Sequence, residues 1–68
     1  MKSRLKTELI KYYIFKNKLT KKAFCEKCGI STYALNKLLK HDYSVGISAV
    51  FKIAKVIDIE LYLMFESN

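Results

Sequence analysis

Two short helix signals, separated by one glycine-containing turn, constrain this chain more than any other feature. Thr20 is a favourable N-cap, because its hydroxyl can accept a hydrogen bond from an unpaired amide of the first helical turn. Gly29 stands where that helix would end in a left-handed residue, a conformation that glycine adopts without a Cβ penalty. Ser31 can cap a second helix only two residues later. The spacing predicts helices over about 21–28 and about 32–40 that meet at a steep angle.

Apolar residues at helical spacing are expected to fill the crevice between these two helices. They are Phe24, Cys28, Ile30, Leu35 and Leu38. A short helix, a tight turn that contains glycine and a second helix are the parts of a DNA-binding helix-turn-helix. The stretch from Leu19 to His41 therefore predicts this motif.

The same stretch resembles the helix-turn-helix domains of the phage-repressor-like family (lambda repressor, Cro and Xre type), whose run is roughly L-T-Q-x-x-L-A-x-x-L-G-I-S-x-x-x-L-S-x-I-E-x-G. The identical positions are Leu19, Thr20, Gly29, Ile30, Ser31 and Leu35, and those that match in character are Phe24, Cys28 and Leu38. The resemblance covers about residues 3–66. It implies an all-α fold, a compact five-helix lambda-repressor-like domain in which helices 2 and 3 form the motif.

Amphipathic segments on both sides of the motif agree with a single helical domain over residues 1–68. A first helix is expected from a cap at Ser3 or a neighbour to about Asn17, a fourth over about 47–57 and a fifth over about 60–66, with no strand. No apolar run approaches the ~20 residues that a membrane span requires. Since no signal peptide is recognisable either, the expected location is cytoplasmic, with no membrane partner.

Positive charge is concentrated in the first part of the chain. Residues 1–40 carry eleven basic and two acidic side chains, and residues 41–68 carry two basic and four acidic ones, which gives +9 and −2 of the net +7. Lysines that simply solvate helix faces would explain a lone basic run. Because the run coincides with the helix-turn-helix pattern, it favours double-stranded DNA as the partner.

In the family that the chain resembles, the second helix of the motif lies in the major groove. Carried over position by position, the resemblance implies base contacts from Thr32, Tyr33, Asn36 and Lys37. Asn36 can pair with adenine, and Lys37 can donate to guanine. Either Thr32 or Tyr33 can pack on a thymine methyl group. The alternative is that these are ordinary solvent-facing residues of a helix. With no Arg on this helix, an A·T-rich operator is expected.

Phosphate contacts are expected from the rim of the same surface. The candidates are Lys21, Lys22, Ser31, Lys40, Tyr43 and Ser44. Lys21 stands where members of the family usually have Gln, and a lysine there suits a phosphate contact. Such contacts fix the register of a protein on DNA but carry no sequence information.

Apolar residues off the main stripe of the last two predicted helices suggest an interface between two copies of the chain. They are Phe51, Val56, Tyr62 and Leu63. A two-fold homodimer would set its reading helices about 34 Å apart and require a near-palindromic operator. The resemblance thus implies a sequence-specific DNA-binding transcriptional regulator. The alternative is a protein-interaction module, such as an antitoxin or anti-repressor subunit, because this motif serves both roles.

Cys25 and Cys28 form a Cys-x-x-Cys pair that could belong to a metal or redox site. A structural zinc site needs four ligands, and outside this pair the soft candidates reduce to His41. Free cysteine also behaves as a small buried hydrophobe, and both residues occupy packing positions of the family's pattern. We therefore expect core packing, with no metal and no cofactor. The sequence shows no nucleophile–base arrangement, so no enzymatic activity is expected.

Overall fold

The computed structural model of the chain describes residues 3–67, which are mostly helical. In chain order the elements are β1 (Ser3–Leu5), α1 (Thr7–Lys16), α2 (Lys21–Cys28), α3 (Thr32–Leu39), a 3-10 helix (Tyr43–Val45), α4 (Ile47–Ile57), a second 3-10 helix (Leu61–Met64) and β2 (Phe65–Ser67). The two short strands pair antiparallel, with Arg4 opposite Glu66 and Leu5 opposite Phe65. The mostly helical class expected from the sequence is confirmed for this part of the chain.

One cluster of buried apolar side chains joins the helices to the two ends of the chain. Its members are Leu5, Ile10, Phe24, Cys25, Cys28, Leu35, Leu38, Ala49, Val50, Ile53, Ala54 and Met64. Phe24 of α2 is fully buried, and the centre of its ring lies 5.7 Å from that of Tyr13 on α1. Each helix thus turns one apolar face inward, and the polar residues of α3 are left on its outer face.

The caps expected for α2 and α3 are confirmed. Thr20 Oγ1 accepts a hydrogen bond from the amide of Ala23 at 3.0 Å, and Ser31 Oγ accepts one from the amide of Ala34 at the same distance. Between the two helices, Gly29 has a left-handed φ of 76°. The turn needs this conformation because the chain must leave α2 and enter α3 within three residues.

The prediction of five helices without a strand is wrong at both ends of the described chain. Residues Ser3–Leu5 form β1, and α1 begins only at Thr7. The segment predicted as a fifth helix, about 60–66, instead divides into the second 3-10 helix and β2.

Pairing of the two chain ends explains this difference. The backbone amide of Lys6 donates to the carbonyl of Met64 at 2.7 Å, and Leu5 and Met64 are both buried. An isolated seven-residue helix is marginal in water, because nucleation is costly. Tertiary packing of apolar residues against the core therefore decides the conformation, and it favours a short strand pair.

Candidate nucleic-acid interface

Three of the four residues expected to contact bases share one depression on the outer face of α3. Tyr33, Asn36 and Lys37 line it together with Lys40 and Asp42, and its volume is about 520 Å³. Residues three and four apart on a helix lie on one face, and the buried residues of α3 occupy the opposite face. We call this depression the α3 depression.

Thr32, the fourth candidate for a base contact, is placed differently. It is exposed at the first position of α3 and does not line the α3 depression.

Lys37 is held by two neighbours. Its Nζ atom lies 3.1 Å from Asp42 Oδ2 and 5.3 Å from the centre of the Tyr33 ring. The hydrogen bond to Asp42, with a further contribution from Tyr33, raises the pKa of Lys37 above its ordinary value. The side chains of Lys37 and Asp42 are 33% and 42% exposed, so a ligand on the surface can reach the pair.

Asp42 also lines the α3 depression, although it is not among the site residues predicted from the sequence. Its Oδ1 accepts a hydrogen bond from the amide of Ser44 at 3.1 Å and thereby caps the first 3-10 helix. The bonds to Ser44, followed by the one to Lys37, lower the pKa of Asp42 to about 2. Asp42 is therefore a fixed carboxylate on the surface that α3 presents.

His41 brings Asp42 back towards α3. It has a left-handed φ of 62°, a conformation that is uncommon for residues other than glycine. The amide of Asp42 then donates to the carbonyl of Lys37 at 2.9 Å. The only sequence signal for Asp42 is that a polar residue follows the end of a helix. Its approach to Lys37 depends on the reversal of the backbone at His41.

The lysines expected to contact phosphates are all exposed. Lys21 and Lys22 are the first two residues of α2, and Lys40 follows α3 at the edge of the α3 depression. Ser31 and Ser44 are exposed as well. The oxygen of Ser31 accepts the capping bond of α3, which leaves the proton of its hydroxyl available for donation.

Tyr43, the remaining candidate for a phosphate contact, has a hydroxyl group that joins distant parts of the fold. This oxygen accepts a hydrogen bond from the amide of Leu5 at 3.0 Å and lies 2.8 Å from His41 Nδ1. The ring also meets Phe65 of β2 edge to face, with centres 6.5 Å apart. The described contacts thus give Tyr43 a structural role between the first 3-10 helix and both strands.

The candidates for an interface between two copies differ in exposure. Phe51, Tyr62 and Leu63 are exposed, whereas Val56 is half-buried and packs against the core. Phe51 and Leu63 line a groove of about 590 Å³ along the side of α4. Three of the four candidates are therefore accessible to a partner.

Cys25 and Cys28 are both buried and unbridged, as expected for core packing. Burial raises the pKa of both thiols, that of Cys28 to about 11.

Within residues 3–67, no three His, Cys, Asp or Glu side chains lie close enough together to form a metal site. No helix in this part of the chain is long and apolar enough to span a bilayer. Comparisons of the chain with protein-family models, with curated proteins and with solved structures gave no match.

Proposed function

We propose that this protein is a sequence-specific DNA-binding regulator in which α2 and α3 act as a helix-turn-helix. The observation that carries the proposal is the α3 depression. There, Asn36 and Lys37 offer hydrogen-bonding groups beside the ring of Tyr33, on a helix whose other face is in the core. A helix of this kind, with polar groups along its outer face, fits the width of the major groove.

The chemistry of these side chains suits base edges. The amide of Asn36 has both a donor and acceptors, which matches N6 and N7 of adenine. Thr32 offers a methyl group to thymine at the start of α3. Each good base contact is worth about 1–3 kcal/mol of discrimination against the wrong base.

Exposed lysines beside this surface would supply affinity that does not depend on sequence. Lys21 and Lys22 on α2 and Lys40 after α3 are the cations that we assign to phosphates. Each neutralised phosphate steepens the log–log dependence of affinity on salt by about 0.9. With a net charge of +7, the chain is also steered towards a polyanion.

We further propose that the regulator binds as a homodimer through the groove beside α4. Phe51, Tyr62 and Leu63 would be covered there by the second copy. In a two-fold dimer the same patch serves both subunits, so two α3 helices would meet two half-sites of a near-palindromic operator.

A protein-interaction module, such as an antitoxin or anti-repressor subunit, is the second candidate, and one observation favours it. Phe15 and Tyr12 on α1 are 81% and 61% exposed, beside Lys16, whose Nζ lies 5.9 Å from the Tyr12 ring centre. Aromatic side chains are enriched at protein-binding surfaces. In that case, a pull-down would retain a protein that the Phe15→Ser variant fails to retain, and duplex DNA would not bind.

The proposed function is tested by comparing Asn36→Ala with Lys21→Ala. We expect Asn36→Ala to weaken binding to operator DNA by about 1–3 kcal/mol and to leave binding to random duplex almost unchanged. Lys21→Ala should weaken binding to both duplexes alike and reduce the slope of log affinity against log salt by about one. Lys52→Ala, at an exposed lysine of α4, is the matched control for loss of charge. Equal losses on operator and random DNA for Asn36→Ala would contradict the assignment of α3 as the reading helix.

A further inference from the structure

We propose that Asp42 is a positioning residue that holds Lys37 at the base-reading surface and keeps its ammonium group from binding phosphate. The inference depends on the proposed function, because it concerns the same face of α3. It adds Asp42 to that face and proposes that Asp42 sets how strongly the face discriminates between DNA sequences.

Both oxygens of the Asp42 carboxylate are engaged by the protein. Oδ1 accepts from the amide of Ser44, and Oδ2 lies 3.1 Å from Lys37 Nζ. The left-handed residue His41 sets the backbone so that the amide of Asp42 also bonds to the carbonyl of Lys37. The carboxylate is therefore a rigid acceptor, unlike an acidic side chain at the end of a mobile stem.

This fixed acceptor restrains a side chain that would otherwise be mobile. The Lys37 ammonium lies between the carboxylate and the face of Tyr33, within the α3 depression that Asn36 also lines. An ammonium group has three donors, and Asp42 accepts from only one direction. The remaining donors stay available for acceptors on a base edge.

The pairing also changes what Lys37 contributes to affinity. A lysine that reaches a phosphate releases counterions and strengthens binding to every sequence. When paired with Asp42, Lys37 adds little net charge to the surface, whereas Lys21, Lys22 and Lys40 remain exposed cations. Asp42 thus lowers affinity for all DNA and raises the share of binding that depends on base identity.

Stability alone does not explain an aspartate at this position. An exposed ion pair contributes little to folding. The bond to Ser44 is a capping bond, and asparagine accepts such a bond about as well as aspartate. What asparagine lacks is the negative charge that holds the ammonium group of Lys37.

The test is Asp42→Asn, with Glu8→Gln as the matched control. Glu8 is exposed in the first turn of α1 and lines neither the α3 depression nor the groove beside α4, so the control removes the same charge elsewhere. Each variant is titrated into two duplexes at several salt concentrations. One duplex is an operator selected from a randomised pool, and the other has a random sequence. Thermal unfolding shows whether each variant is folded, and Asp42→Ser provides a second uncharged cap.

We expect Asp42→Asn to bind random DNA more tightly and to have a lower operator-to-random ratio. One additional phosphate contact steepens the salt slope by about 0.9, so affinity should fall about 3.5-fold further between about 50 and about 200 mM salt. Glu8→Gln should show the same slope and the same ratio as the wild type. In a Lys37→Gln background, Asp42→Asn should have no effect on either quantity.

Two results would overturn the inference while the proposed function stands. In one, Asp42→Asn and Glu8→Gln behave alike on both duplexes. In the other, the effect of Asp42→Asn persists in the Lys37→Gln background, which would mean that the carboxylate repels DNA directly. A wild-type protein without salt-dependent DNA binding would instead overturn the proposed function, and the inference with it.

Discussion

Removal of one hydroxyl group, in the variant Tyr43→Phe, tests how the ends of this chain are held. The amide of Lys6 bonds across the strand pair to Met64. Because hydrogen-bonded positions alternate along an antiparallel pair, the neighbouring amide of Leu5 points away from β2. The hydroxyl oxygen of Tyr43 accepts a hydrogen bond from this amide at 3.0 Å. The variant therefore leaves an amide at the outer edge of β1 without its acceptor.

The expected cost is about 1–2 kcal/mol. A typical hydrogen bond contributes about 1 kcal/mol net, and a buried donor left unpaired costs about 1–3 kcal/mol. Tyr43 is 38% exposed, so water can partly replace its hydroxyl group, and the lower part of that range applies. In a domain of this size, each kcal/mol lowers the unfolding midpoint by about 4–8 °C.

Thermal and urea unfolding of Tyr43→Phe, followed by circular dichroism, measure this cost. Tyr12→Phe is the matched control, since it removes the same atom from a side chain that is 61% exposed and should change stability by less than about 0.5 kcal/mol. At a temperature where both variants are folded, we expect equal affinity for DNA. The reasoning would be refuted if the two variants unfolded alike, or if Tyr43→Phe lost affinity while fully folded, which would assign the hydroxyl group to a phosphate.

Three further predictions concern stability at low pH, the turn between α2 and α3, and the two cysteines. The pKa of Asp42 is lowered from 3.8 to about 2, so its stabilising contribution is present above pH 3.8 and is lost as the pH falls through about 2. Unfolding free energy measured against pH should decline less over this window in Asp42→Asn. Gly29→Ala should cost about 1–2 kcal/mol of unfolding free energy, because φ is 76° and nothing lies within 4 Å of the added Cβ; Gly29→Asn should cost less. Cys25 and Cys28, buried and with raised pKa values, should react with iodoacetamide at pH 8 only after denaturant is added, and fast reaction of the native protein would contradict their burial.

The helices α2 and α3 were predictable because their signals are local. Thr20 and Ser31 each bond to an amide three residues later, and Gly29 adopts the conformation that its lack of a Cβ favours. Interactions of this kind depend on a few neighbouring residues, so they can be recognised in a single sequence.

The strands at the ends were not predictable in the same way. Leu5 and Phe65 pair across almost the whole length of the chain, so both the pairing and the burial of Leu5 arise from contacts distant in sequence. The half-buried state of Val56 has a similar cause. Its place beside the apolar stripe of α4 did not indicate that neighbouring elements would cover part of it.

Within the candidate site, the polar residues of α3 could be predicted, and the role of Asp42 could not. Tyr33, Asn36 and Lys37 follow helical spacing on the face opposite Leu35 and Leu38. Asp42 reaches Lys37 only because the backbone reverses at a non-glycine residue, and such left-handed residues are uncommon.

Selection of bound sequences from a randomised duplex pool, with affinity then measured against salt, tests DNA reading by α3 most directly. We expect a near-palindromic enriched sequence whose half-sites lie about 34 Å apart. We also expect a log–log salt slope of several units, as released counterions require. Salt-dependent binding without any enriched sequence would contradict base reading by α3. No binding to any duplex would contradict the proposed function as a whole and favour a protein partner.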